Sequence, residues 1–387
     1  MASLWLCLAT LFCLLVARSA GQTEIGLPPL DGDLLDIYFD KQNDVALLLT
    51  EEYLYQFNFD LNLLADQVSL TTFNRGVKIY SEIVEYQGRN YVYVLAETTN
   101  GLNGLHRFQA TSIWSKKAAA LSFNEFPDPG EELAMAIDPA TNVGYIVSQV
   151  HPQVVVVDLI NMVRTSSFNY LQSNPPLEPV IIGYPGGWAI AVDSKNHKLY
   201  LGVACWAPTP SYVWQFDIGN PSSVTMTNST VFSSNACFED AFVDQTEGRA
   251  WFLEDSSGWV GGFSPAGLHF GGGFSVQSNF LIRAMEYDEK HDQAFMIEQS
   301  VPYARVQSHS FRSTRGPTPQ FAGKVLRVCL LERSPANVEQ IYFWNPNDGV
   351  PTGSFLAKST RKLYVSTRDK LFTVHVPVTT PCKSHTG

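Results

Sequence analysis

The chain has 387 residues, a net charge of −11, 45% hydrophobic residues and only 16% charged ones. An acidic chain without a basic run is a poor match for nucleic acid or an anionic membrane surface. Low charge, 12% aromatic residues and frequent Gly and Pro suit an all-β chain, and no long amphipathic helix pattern argues for an α/β one.

Residues 1–21 read as a secretory signal. The apolar run from Leu4 to Val16 is too short to span a bilayer comfortably. Small residues follow it, which places cleavage after Ser19 or Gly21. No Lys or Arg precedes the run, so a retained signal anchor is the alternative. No later stretch approaches the ~20 apolar residues of a membrane helix. The expectation is a secreted, extracellular protein whose residues 22–387 form one domain.

Cys7 and Cys13 leave with the signal, and Cys205, Cys237, Cys329 and Cys382 remain. Four thiols in an exported chain imply two disulfides, with about three connectivities open. No pair has CxxC spacing, so zinc is not expected. Asn228-Ser229-Thr230 is a glycosylation sequon in a Ser/Thr-rich segment.

Along the chain an anchor residue recurs with a bulky residue seven positions later. Asp138 leads to Tyr145, Asp193 to Tyr200, Asp244 to Trp251 and Asp288 to Phe295. Weaker copies pair Asp40 with Leu47, Tyr86 with Tyr93, and Ala357 with Tyr364. The spacing of these seven anchors, roughly 44 to 55 residues save for a longer last interval, approaches one four-stranded propeller blade. Each unit reads as an apolar strand, a polar turn opened by the anchor, a second strand and then a third.

The third strands are expected from Tyr55, Leu105, Val154, Val213, Val260, Val306 and Leu371. More polar outer strands follow some of them, as in R-T-S-S-F-N-Y and V-T-M-T-N-S-T-V-F. One such sheet cannot bury both apolar faces, whereas seven packed radially around an axis can. Ala134, Ala136, Ala189, Ala191 and Ala284 suit a crowded innermost strand. The fold expected is therefore all-β: a seven-bladed β-propeller, one domain, closed by a terminal strand. Thr23 to Leu30 is one candidate for that strand and Val376 to Cys382 the other. The unit beginning at Asp288 is overlong, which places an insertion at about 313–347 with Val325 to Leu331 as a strand of that blade.

The units A-I-D-P-A-T-N-V-G-Y-I-V, A-V-D-S-K-N-H-K-L-Y-L-G-V and F-L-A-K-S-T-R-K-L-Y-V-S-T resemble the YVTN and NHL-type β-propeller repeats, over about residues 31 to 376. The G-H…W-D pair of WD40 repeats and the double glycine of kelch repeats are absent. The resemblance implies a fold that serves as a binding scaffold in some proteins and as a hydrolase or lyase in others. In a blade of this kind, the loop after the second strand and the loop leading into the next blade share one face. That places Cys205 beside Cys237 as a disulfide, leaving Cys329 with Cys382.

On that face, aromatic loops offer a ligand surface: Trp206 and Tyr212 in C-W-A-P-T-P-S-Y, Tyr184 in G-Y-P-G-G-W, and Trp259 in D-S-S-G-W. Trp188 and Trp259 also fit strand ends packed between blades. The anchor aspartates read as turn openers that accept backbone N–H bonds. No HExxH, GxSxG, Walker or strand-linked GxGxxG motif is present. The expected function is an extracellular binding or adhesion module for a protein or glycan ligand, without a cofactor or catalytic residues. The alternative is a metal-assisted hydrolase or lactonase with Ca²⁺ held by Glu239, Asp240, Glu131 and Asn279 at the channel mouth.

Overall fold

The computed structural model describes residues 22–40, 45–58, 63–70, 79–86, 89–97, 102–111, 113, 119–127, 133–148, 151–170, 187–203, 211–232, 238–245, 247–254, 259–268, 270–275, 280–288, 290–291, 293–300, 323–329, 338–344, 348–349, 351–358 and 360–376. These residues form seven four-stranded antiparallel sheets and no α-helix. The innermost strands of blades 1 to 7 are Leu34–Asp40, Ile79–Tyr86, Leu133–Asp138, Gly187–Asp193, Phe238–Asp244, Phe280–Asp288 and Pro351–Ala357. Each touches the next around the axis, and the seventh returns to the first, so the sheets close into a ring.

The physical driver is visible in the second strands. Val45–Thr50 and Val143–Ser148 are buried at every position. Alternation sends successive side chains to opposite faces, and both faces are covered by neighbouring blades. In blade 4, Leu199 and Leu201 pack with Tyr145, Val147 and Val156 of blade 3. Between them Tyr200 packs the other way, with Phe238, Ala250 and Phe252 of blade 5. The alanines serve this blade-to-blade contact: Ala134 and Ala136 pack toward blade 4, Ala189 and Ala191 toward blade 5.

Closure comes from the N-terminal side. Gln22–Ile25 pairs antiparallel with Leu371–His375 as the outer strand of blade 7, from Gln22 against Val374 to Ile25 against Leu371. Ile25 then packs on the apolar cluster shared by blades 7 and 1.

Blade 6 departs from expectation. Its third strand is Gly323–Cys329, overlapping the strand expected from Val325 to Leu331, and its fourth is Val338–Trp344. The Val306 run expected as the third strand falls between Ser300 and Gly323, outside the described residues. The Val306 run, V-Q-S-H-S-F, alternates with polar residues, whereas V-L-R-V-C-L-L from Val325 is nearly continuously apolar. The pairing of Phe295 with Arg327 and of Ile297 with Val325 decides between them.

Candidate functional site

The ring has two unlike faces. On one, the turn face, the first and second strands of each blade join through short hairpins. Asp138 accepts from the Ala140 N–H at 3.0 Å and the Thr141 hydroxyl at 2.7 Å. Asp193 accepts from the backbone and side-chain N–H groups of Asn196. The turns finish with a left-handed residue, Asn142, His197, Gly248 or Arg361, just before the second strand. The anchor aspartates therefore open turns, as their spacing suggests.

Polar side chains sew this face from blade to blade. Gln56 Nε2 donates to the Thr111 carbonyl of blade 2 at 3.2 Å. Arg107 of blade 2 donates to the carbonyls of Leu159 and Ile160 of blade 3. Gln215 of blade 4 donates to the Pro265 carbonyl of blade 5 at 2.9 Å and to the Tyr200 hydroxyl at 3.1 Å. Tyr200 in turn reaches the Gly248 carbonyl of blade 5 at 3.3 Å. Burial pushes the Tyr200 phenol up to about 12, against the hydrogen bond from Gln215. Arg361 of blade 7 pairs with Asp288 of blade 6, beside His291.

The opposite face gathers the segments after the second strands and those leading into each inner strand. It includes the two longest connections, from Asn169 to Gly187 and from Ser300 to Gly323. Six of the seven inner strands carry a register shift near their leading ends on this face. In five of them one residue bulges out: Leu35, Trp188, Glu239, Arg283 and Thr352. A bulge bends its strand and re-aims a residue, and bulges concentrate at barrel rims and beside functional sites. Around the ring these positions share the connection-face ends of the inner strands.

The expected ligand residues divide between what the structure describes and what it does not. Tyr212 lies inside the strand Ser211–Asp217 rather than in the proline-rich loop, paired with Val203. Its ring stacks on Trp214, with centroids 5.8 Å apart and planes 4° from parallel. Trp259 is the first residue of its strand, paired with Glu254 and Ser275. Both are at the connection-face ends of adjacent blades. Trp206, Tyr184, Cys205, Cys237 and Cys382 lie outside the described residues. Cys329 is disulfide-bonded to a partner outside them.

Of the four residues named as metal ligands, Glu131 and Asn279 also lie outside the described residues. Glu239 is a bulge position, and the Asp240 carboxylate accepts its neighbour's N–H from Ala241. Among the described residues no three metal-ligating side chains converge.

One charged pair on this face was not foreseen. Glu298 and Lys324 sit opposite each other on the second and third strands of blade 6, near the strand ends that bracket the Ser300-to-Gly323 connection. Their side chains are 1% and 4% exposed, with Lys324 Nζ 3.0 Å from Glu298 Oε2. Burial accordingly raises the Glu298 carboxyl to about 7, against the pull of the Lys324 charge. Thr50, Ser148 and Thr367 end the same strand in blades 1, 3 and 7, and the first two accept N–H bonds within the turn that follows. Glu254 of blade 5 holds the equivalent position, so a carboxylate there is no signal by itself, and the pair is legible only once the strands are in register.

No family model and no curated protein matches the chain. Solved structures do match its fold. The chain is similar to Raptor from Chaetomium thermophilum, at 8% identity and a TM-score of 0.63 over 94% of this chain and 30% of that one. It is similar to a chain of the Mitotic Checkpoint Complex at 10% identity and a TM-score of 0.58, over 92% of this chain and 95% of that one. It is also similar to the Myceliophteria thermophila Cps50 (Swd1) β-propeller domain at 10% identity and a TM-score of 0.60, covering 92% of this chain and all of that domain. At such identities the likeness shows the fold: this chain is a seven-bladed β-propeller.

Proposed function

We propose that the chain is an exported binding module that holds a protein or glycan partner on its connection face, within the YVTN/NHL-like branch of propellers. The asymmetry of the two faces carries this reading. The turn face uses short hairpins and spends its polar side chains on neighbouring blades. The connection face instead collects long, non-repeating segments around a rim of bulges. Binding residues gather on loops that a rigid scaffold positions. One structural neighbour is a chain of the Mitotic Checkpoint Complex, a multi-protein assembly, and a protein partner here follows the same use of the fold.

The experiment is capture of partners from the extracellular fraction by the intact protein, followed by binding measurements with variants of each face. Trp206→Ala and Tyr212→Ala should weaken a partner's binding at least tenfold. Lys195→Ala, on an exposed turn of the other face, should leave it unchanged. Equal loss from both faces, or loss only from Lys195→Ala, removes the assignment.

A further inference from the structure

The outer strand of blade 4, Thr225–Phe232, is the longest outer strand in the ring at 8 residues. It pairs on one side only, with Ser211–Asp217. Its sequence, TMTNSTVF, has no charge and no proline. Thr225, Thr227, Ser229 and Val231 are exposed, and Val231 at 57% is the more open of the two exposed large hydrophobic residues among those described. The strand bulges at Thr227, yet a long uncharged edge of this composition still invites pairing with a second chain. The other outer strands of comparable length carry Asp66, Arg164 or Glu339.

The chain's sequon, Asn228-Ser229-Thr230, sits in the middle of this edge. We propose that Asn228 carries an N-linked glycan whose bulk closes the outer edge of blade 4 to strand pairing. The proposal rests on the export reading, since the modification needs the secretory pathway. In the transfer, the Asn228 amide nitrogen bonds to the anomeric carbon of a lipid-linked oligosaccharide diphosphate. The anomeric C–O bond breaks, the diphosphate leaves with its electron pair, and one amide proton goes to solvent.

Folded geometry sets the order of events. In the closed blade Asn228 Nδ2 donates to Gln215 Oε1 at 2.7 Å, and Gln215 itself is buried and bonded into blade 5. Transfer therefore precedes closure of blade 4. Afterwards one N–H remains on the nitrogen, enough to keep the bond to Gln215, whose Oε1 also accepts from the Thr227 hydroxyl at 3.0 Å. The modification and the clasp coexist.

Thr230→Ala separates the two roles of Asn228, because it removes the sequon hydroxyl and leaves the amide in place. The full chain is expressed in secreting cells, and its intact mass is taken before and after a glycosidase that cleaves the Asn–glycan bond. Wild type should lose the glycan mass, with Asn228 recovered as aspartate. Thr230→Ala should show no such loss, keep its melting temperature, and shift to earlier elution in size exclusion as concentration rises. Secreted wild type with an unmodified Asn228 overturns the site. A glycosylated wild type alongside a Thr230→Ala variant that stays monomeric overturns the shielding role. A chain that is not exported overturns the export reading. Replacing residues 1–21 with a working secretion leader then tests the sequon by the same masses.

Discussion

Glu298 and Lys324 face each other across two strands of blade 6, 3.0 Å apart and closed to solvent. Burial raises the Glu298 carboxyl from 4.5 to about 7. The folded protein therefore holds this proton more tightly than the unfolded chain does. Its contribution to stability is complete below pH 4.5 and is lost as pH rises through 7. Between pH 5 and pH 8 wild type should lose on the order of 2 kcal/mol relative to Glu298→Gln. Denaturant melts at the two pH values check this, and parallel curves for the two proteins would refute it. Lys324→Met should cost more at pH 8 than at pH 5, since it strands the ionised carboxylate.

The clasp at Gln215 ties blade 4 to blade 5 through the Pro265 carbonyl and the Tyr200 hydroxyl. Gln215→Leu keeps the volume but leaves these groups without their donor. We expect a loss of about 1–3 kcal/mol, because a buried polar group without a partner bears its full desolvation cost. Tyr200→Phe, which removes the bond to the Gly248 carbonyl and the acceptor of one Gln215 N–H, should cost about 1–2 kcal/mol. Urea midpoints at constant m-value give both numbers.

Gly202 is in the second strand of blade 4, where a Cβ would come within 2.8 Å of the Phe252 ring and 2.9 Å of Phe238. Both rings are fully buried in the contact with blade 5. Gly202→Ala should therefore destabilise by about 1–3 kcal/mol through overpacking. Gly26→Ala, with nothing within 4 Å of the added carbon, is the control and should change little. Similar melting temperatures for the two variants would show that blade 4 can move away from blade 5.

The seam between blades 7 and 1 rests on Gln22–Ile25 and on Ile25 packing against the shared cluster. A chain that begins at Gly26 should lose on the order of 2 kcal/mol or more, since it gives up strand pairing and apolar burial together. It should also aggregate, because Leu371–His375 becomes an open edge. Thermal unfolding followed by light scattering tests this. A chain from Gly26 that is as stable and monomeric as the longer one would mean that the ring closes without the strand.

Much of the ring was legible in the residues themselves, because a blade is built from local chemistry. Asp138, Asp193 and Asp244 open hairpins by bonding their own turns, so their spacing to Tyr145, Tyr200 and Trp251 survives without knowledge of any neighbour. The number of blades follows from that period, and so do most of the strands. Choices that depend on pairing distant segments were beyond it. Thr23 to Leu30 and Val376 to Cys382 were both candidates for the last strand, and only the partners of Leu371–His375 decide for Gln22–Ile25. The Val306 run offers an alternating pattern and Gly323–Cys329 a more continuous apolar one, and the register against Gln293–Ser300 places the second in the blade. Glu298 and Lys324 are unremarkable charges in the chain and become a buried pair only when cross-strand register sets them face to face. Turn chemistry acts over a few residues and can be read in order. Burial, bulges and the environment of a charge are set by segments brought together across the ring, and those exist only after folding.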